Sequence, residues 1–177
     1  MKLEEKIIKR LNSFYWWRLT NEIVKYSPDG YNSDGTYCKD EWTDFSDIGK
    51  IFNGKIFTKS EYLEIEKRYI ECAIDIISES QCKYLTIGYI ADYINKKNYR
   101  YKSRIHISQI PDILQDMLRN KVWCVLVNLK KKLQIDIGWD YYMHVICPIK
   151  EERLKLIVES HKLYLNPRIK HYLEVID

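Results

Sequence analysis

The sequence predicts an α+β fold in which an antiparallel sheet of three to four strands packs with several helices, and two observations carry that expectation. Residues 122–147 bring together three apolar runs with β chemistry, and at least three stretches elsewhere repeat apolar residues at helical spacing. Val122 to Leu129 is almost continuously apolar, as in a strand covered on both faces or flanked by other strands. Leu133, Ile135, Ile137 and Trp139 then alternate with Gln134, Asp136 and Gly138, the period of a half-buried strand. Lys130 to Lys132 forms the turn between these runs. Tyr141 to Cys147 is the third run, after a turn or bulge at Gly138 to Asp140, and Pro148 ends it by removing a ladder donor.

The other elements follow from local pattern. Residues 2–26 read as an amphipathic helix with Leu3, Ile7, Leu11, Phe14 or Tyr15, and Arg18 or Leu19 near one stripe, and the cluster Phe14-Tyr-Trp-Trp17 as core. Ser27-Pro-Asp-Gly30 stops it. From Pro28 to Lys55 the chain is loop-like and rich in Gly, Asn, Asp and Ser. Thr58-Lys-Ser-Glu61 is a capping box, opening a helix whose buried stripe is Tyr62, Ile65, Tyr69, Cys72 or Ala73, and Ile76. Tyr84 to Tyr93 is open to strand or helix and is read as a short helix through Ile87, Ile90 or Ala91, and Ile94, and Lys96 to Arg104 is a basic connection. Ile110 to Arg119 is a helix with Pro111 in its first turn and Asp112 near its positive end. Lys150 to His161 is another, with Leu154, Ile157, Val158 and His161 on one side. Tyr164-Leu165 reads as a short edge strand, and Arg168 to Ile176 as strand or a last helical turn.

Length and composition narrow the class. A chain of 177 residues, 46% hydrophobic, supports one substantial core, expected as a single domain over 1–177. No run approaches the ~20 apolar residues that cross a bilayer, and the charged N-terminus lacks a signal-peptide core, so a cytoplasmic protein is expected. Five cysteines at irregular spacing, without a Cys-x-x-Cys pair, suit free thiols and give no zinc motif. Charge is uneven: residues 1–26 carry six basic and three acidic side chains, residues 27–75 six and eleven, and residues 76–177 seventeen and eleven. The middle segment is thus acidic within a chain of net charge +4.

Chemical motifs are scarce. There is no Gly-x-Ser-x-Gly, no phosphate-cradling glycine loop, no His-Glu-x-x-His and no calcium-loop spacing among the acids of the middle segment, so neither an enzyme nor a metal or cofactor is expected. His144 would share a strand face with Tyr142 and lie beside Asp136, a pairing that can orient an imidazole; a structural role worth one hydrogen bond, about 1 kcal/mol, is expected. Lys96, Lys97, Arg100, Lys102 and Arg104 interleave with Tyr99 and Tyr101, so a nucleic-acid-binding module is the alternative function; phosphate contacts from this segment alone would be weak and salt-sensitive.

Two stretches resemble a family of small bacterial proteins, the immunity proteins of polymorphic and contact-dependent growth-inhibition toxins. One is Trp42-Thr-Asp-Phe-Ser-Asp-Ile-Gly-Lys50 followed by Thr58-Lys-Ser-Glu-Tyr-Leu-Glu-Ile-Glu66. The other is Val122-Trp-Cys124 with Ile135-Asp-Ile-Gly-Trp-Asp-Tyr-Tyr-Met-His144, where Trp139 and His144 stand in place of tyrosines of the similar hairpin. The resemblance implies a non-enzymatic inhibitor that binds one cognate toxin domain, commonly a nuclease and expected to be basic; from the sequence pattern, no membrane and no specific nucleic acid is expected as partner. Asp40, Glu41, Trp42, Asp44, Phe45 and Asp47 are the candidate toxin-binding residues, the aromatics as anchors and the carboxylates as electrostatic complement.

Overall fold

A computed structural model describes residues 20–33, 36–92 and 99–166. Over these residues the architecture is α+β: three helices, a seven-stranded antiparallel sheet and a separate two-stranded hairpin. In chain order the elements are β1 (Asn21–Val24), β2 (Ile51–Phe52), β3 (Lys55–Ile56), α1 (Lys59–Glu79), β4 (Tyr84–Asp92) and β5 (Arg104–His106). They continue with α2 (Ile110–Leu118), β6 (Val122–Asn128), β7 (Leu133–Ile137), β8 (Met143–Ile146), α3 (Glu151–Ser160) and β9 (Tyr164–Leu165). The sheet runs β5-β4-β6-β7-β8-β1-β9. No helix among the described residues is long and apolar enough to cross a membrane.

The meander is present, with Leu126 opposite Ile135, Ile135 opposite Val145 and Ile137 opposite Met143. Period-two alternation directs Leu85, Ile87, Cys124, Leu126, Leu133, Ile135, Met143, Val145 and Ile23 to one face, where they meet the apolar stripes of all three helices. On the outer face, away from the helices, Val125 and Val127 are also buried and pack with Trp123 and Leu129, so β6 is covered on both sides. Cys72, Cys82 and Cys124 are buried free thiols, Cys147 is half-buried and Cys38 exposed. The capping box of α1 forms as the sequence demands: the Glu61 amide donates to Thr58 Oγ1 at 3.2 Å, and the Thr58 amide to Glu61 Oε2 at 2.7 Å.

Several expectations are corrected. The sheet has seven strands rather than three to four, because two segments read as helix are strands and Arg104–His106, at the end of the basic connection, forms β5. Residues 84–92 form β4, which pairs with β5 and β6; a bulge between Ile87 and Tyr89 breaks its period-two pattern and leaves apolar spacings that mimic a helix. Residues 21–24 of the predicted helix 2–26 form β1, inserted between β8 and β9. The remainder of that helix up to residue 19, with the Phe14 to Trp17 cluster, lies outside the described residues, as do residues 93–98 and 168–176. Strand β7 ends at Ile137, so Trp139 leaves the apolar face on which alternation put it and stands exposed at the head of a 3₁₀ turn. Within the loop-like 28–55 segment, Asn53 and Gly54 both adopt positive φ, 49° and 75°, and close β2 and β3 as a two-residue hairpin of the kind Asn-Gly favours.

One buried charge ties α1 to α2. Glu66, 3% exposed, accepts from Arg119 Nε and Nη2, both at 2.7 Å, and from Gln115 Nε2 at 3.2 Å. A carboxylate in that position is tolerable only because its oxygens meet a bidentate guanidinium. Glu66→Ala should therefore cost about 3 kcal/mol, since Arg119 is left behind without its partner, whereas a double replacement of Glu66 and Arg119 by Met should cost clearly less. Urea denaturation of the three proteins measures this directly.

Candidate functional site

The acidic segment is held against the sheet by a buried cation. Lys25 follows β1, and its side chain, 3% exposed, places Nζ 3.0 Å from Glu41 Oε2, 4.2 Å from the centre of the Trp42 ring and 4.1 Å from that of Tyr26. Burial lowers the Lys25 pKa despite the opposing pull of Glu41. Glu41 also accepts from the Tyr37 hydroxyl at 2.9 Å. Trp42 stacks on Phe57 with ring centres 4.4 Å apart and meets Tyr141 edge-on at 5.1 Å. Phe45 packs edge-on to Tyr62 at 4.9 Å. Both candidate anchors are thus half-buried against the main core.

The carboxylates of this segment are engaged as well. Asp47 is buried and accepts from the amides of Thr43 and Asp44 and from Lys50 Nζ at 2.7 Å. Burial acts to raise its pKa, but the Lys50 and backbone hydrogen bonds prevail and hold it below the ordinary range. Asp44 caps the short 3₁₀ turn Phe45–Asp47 through the Ser46 amide and also accepts from Asn120. Asp40 is exposed, and its carboxylate and carbonyl bind the amide and side chain of Asn53, tying the β2–β3 hairpin to the acidic segment. The six candidate residues are therefore gathered in one neighbourhood, with Asp40 the most open of them.

The same neighbourhood presents exposed apolar groups that sequence reasoning did not single out. Ile51 and Ile56 face each other across the hairpin and are 67% and 62% exposed. Trp139 is 79% exposed on a turn fixed from both sides. The Tyr26 hydroxyl donates to Asp140 O at 3.0 Å, Gly138 N to Tyr142 O at 2.8 Å, and Tyr141, two residues after Trp139, is buried against Trp42. Asn53-Gly54 carried a readable hairpin signal, and Gly138 to Asp140 marked a turn, but the apolar alternation ran on through Trp139 and hid its exposure.

On the outer face of the sheet His144 bridges two carboxylates, Asp136 through Nδ1 at 3.0 Å and Glu22 through Nε2 at 3.3 Å. Asp136 was expected; Glu22 was hidden by the helical reading of residues 2–26. Asn166 Nδ2 also donates to Glu22, at 2.5 Å. Burial lowers the imidazole pKa, but hydrogen bonds to Asp136 and Glu22 and their charges outweigh it and hold the pKa up at about 9. With both ring nitrogens occupied, the imidazolium is a fixed charge across β7, β8 and β1 rather than a proton carrier near neutral pH. Among the described residues no group of His, Cys, Asp or Glu is arranged to hold a metal ion. Of the basic segment 96–104, the described part runs from Tyr99, which donates to Asp116 at 3.0 Å, to Arg104 at the start of β5.

The clamp makes stability depend on alkaline pH. Its folded pKa lies above the ordinary value of 6.5, so its contribution is complete below about 6.5 and is lost as pH rises through about 9. With two carboxylates to lose rather than one hydrogen bond, His144→Gln should cost about 2 kcal/mol at pH 7. The gap between wild type and variant should narrow by pH 10 in urea titrations, and a gap independent of pH would contradict the charged clamp.

Comparison of the chain with protein-family models, curated proteins and solved structures gives no match.

Proposed function

We propose that the chain is a non-enzymatic inhibitor of immunity type that binds and neutralises a cognate bacterial toxin domain, a basic nuclease, and blocks its active site or an essential surface. The observation that carries this function is Trp139, a large aromatic presented to solvent on a hydrogen-bonded turn that packs through Tyr141 against Trp42 of the acidic segment. Such a side chain loses little conformational freedom on binding and has the chemistry of interface anchors. The exposed Ile51 and Ile56 belong to a hairpin tied to the same segment by Asp40. Carboxylates in a 27–75 segment that is net acidic within a net basic chain add long-range attraction toward a cationic partner. The resemblance of 42–50 with 58–66, and of 122–124 with 135–144, to immunity proteins points the same way.

The aromatics then divide by role, with Trp139 making contact and Trp42 and Phe45 shaping the surface from beneath. Calorimetry with the toxin domain encoded beside this chain, and growth of cells co-expressing the two, test the division. Trp139→Ala should weaken binding about 30-fold, some 2 kcal/mol, with an unchanged melting temperature. Trp42→Ala should destabilise the fold by about 3 kcal/mol first. Asp40→Asn should chiefly slow association and reduce its salt dependence. Unchanged affinity and unchanged rescue in folded Trp139→Ala and Asp40→Asn proteins would remove this surface from the interface.

A further inference from the structure

The opposite charge is concentrated elsewhere. Residues 119–132 hold five basic side chains and no acidic one, and Arg119 and Lys121 are taken up by Glu66 and Asp116. The remaining three, Lys130, Lys131 and Lys132, sit in the β6–β7 turn. That turn is fastened to the start of β4: Asn128 Nδ2 donates to Tyr84 O at 3.0 Å and Lys131 Nζ to Gln81 Oε1 at 3.4 Å. Beside them, Lys83 O accepts from the Ile107 amide at the end of β5, so Lys83 and Arg104 join the same end of the sheet. Lys83, Arg104, Lys130 and Lys132 make no ion pair among the described residues.

These cations surround exposed aromatics. Tyr84 is 37% exposed; the Arg104 guanidinium lies over its ring at 4.1 Å, and His106, its partner across the ladder, meets it edge-on at 4.9 Å. Stacking holds the guanidinium flat while leaving its N–H edge for a phosphate or a base edge. Farther along β4, the bulge between Ile87 and Tyr89 resets the alternation, so that Tyr89 sits opposite the outward Val125. Without it Gly88 would take that place. Tyr89 is exposed and packs with Trp123 at 5.0 Å, about 15 Å along the strand from Tyr84.

We propose that this end of the sheet, formed by Lys83, Tyr84, Arg104, Tyr89 and the Lys130–Lys132 turn, binds single-stranded nucleic acid. Unpaired cations meet the phosphates while Tyr84, capped by Arg104, and the Tyr89–Trp123 pair offer faces to two bases a few nucleotides apart. A duplex hides its base faces and gains only the phosphate contacts. The site is separate from the toxin-binding surface and, apart from Arg104, draws on groups outside the basic 96–104 connection.

Fluorescence anisotropy of the full chain with a labelled twelve-nucleotide oligouridylate tests this at two salt concentrations. Micromolar binding at 50 mM NaCl is expected, weaker at 150 mM, and several-fold tighter than to a duplex of equal length. Tyr84→Ala and Arg104→Ser should each weaken it at least 5-fold. The triple variant K130Q/K131Q/K132Q should lower the slope of log affinity against log salt by about 2, three phosphate contacts on a single strand. The charge-matched K39Q/K59Q/K150Q, at exposed positions elsewhere, should bind like wild type. Melting curves establish that each variant folds, and the exposed Arg104 and lysine replacements keep the test open if Tyr84→Ala does not. No binding at 50 mM NaCl, equal affinity for the duplex, or an equal loss in the control triple would overturn the proposal.

Discussion

Lys25 is the constraint from which the loop-like part of the 28–55 segment takes its shape. An ammonium ion taken out of water needs compensation from every side, and here a carboxylate and two aromatic faces supply it, from Glu41, Trp42 and Tyr26. Because Glu41 and Trp42 lie sixteen and seventeen positions beyond Lys25, meeting that need draws the 26–47 stretch back onto the end of β1. The rest of the stretch is then fixed by rings together with one antiparallel bridge between Tyr31 and Tyr37. Tyr37 packs on Tyr26 at 4.8 Å and on Tyr31 at 4.9 Å, and it passes so close to Gly30 that a β-carbon there would lie 2.3 Å from its ring. Gly30 is required at that crossing by space alone.

Beneath this layer the tyrosines act as caps. The last turn of α2 leaves the Leu118 carbonyl without a helical partner, and two buried hydroxyls, from Tyr141 at 2.8 Å and Tyr62 at 3.3 Å, turn toward it. Tyr69 in turn donates to the Tyr141 carbonyl at 2.6 Å. Asp140 and Tyr141 both sit at positive φ, 56° and 63°, a conformation costly for residues with side chains. The hydrogen bonds and ring contacts gathered on Tyr141 hold that turn in place, and the exposure of Trp139 is its result. Burial raises the Tyr69 and Tyr141 pKa values, so these hydroxyls remain donors.

The elements that were legible in the sequence are those whose signals are local. Thr58 and Glu61 announce α1, Pro111 opens α2, alternation from Leu133 to Ile137 marks β7, and even the two-residue edge strand Tyr164-Leu165 is visible before Asn166-Pro167. β4 was hidden because one bulged residue converts a strand pattern into helical spacing, and β1 because Asn21 to Val24 continues an amphipathic run without a break. The acidic segment was recognisable as a unit, but the engagements of its members were not. Asp44 meets Asn120 across 76 positions, and such pairings exist only once the sheet has formed. Asp47 is the instructive exception, since its capping partners lie three and four residues away and could have been read as structure.

The seam between β1, β8 and β9 also sets an order of events during synthesis. The meander, α1, α2 and β4 can assemble from neighbouring stretches as each emerges, whereas Asn21 has to wait for Val145, and Glu22 for both His144 and Asn166. Closing contacts so distant along the chain is slow compared with forming hairpins and helices. Until it happens, β8 presents an unpaired edge and a histidine with one of its two carboxylates missing. A ribosome that pauses before residue 144 therefore holds a chain whose first strand has nothing to pair with, and that interval is when this protein is most open to mispairing with other strands.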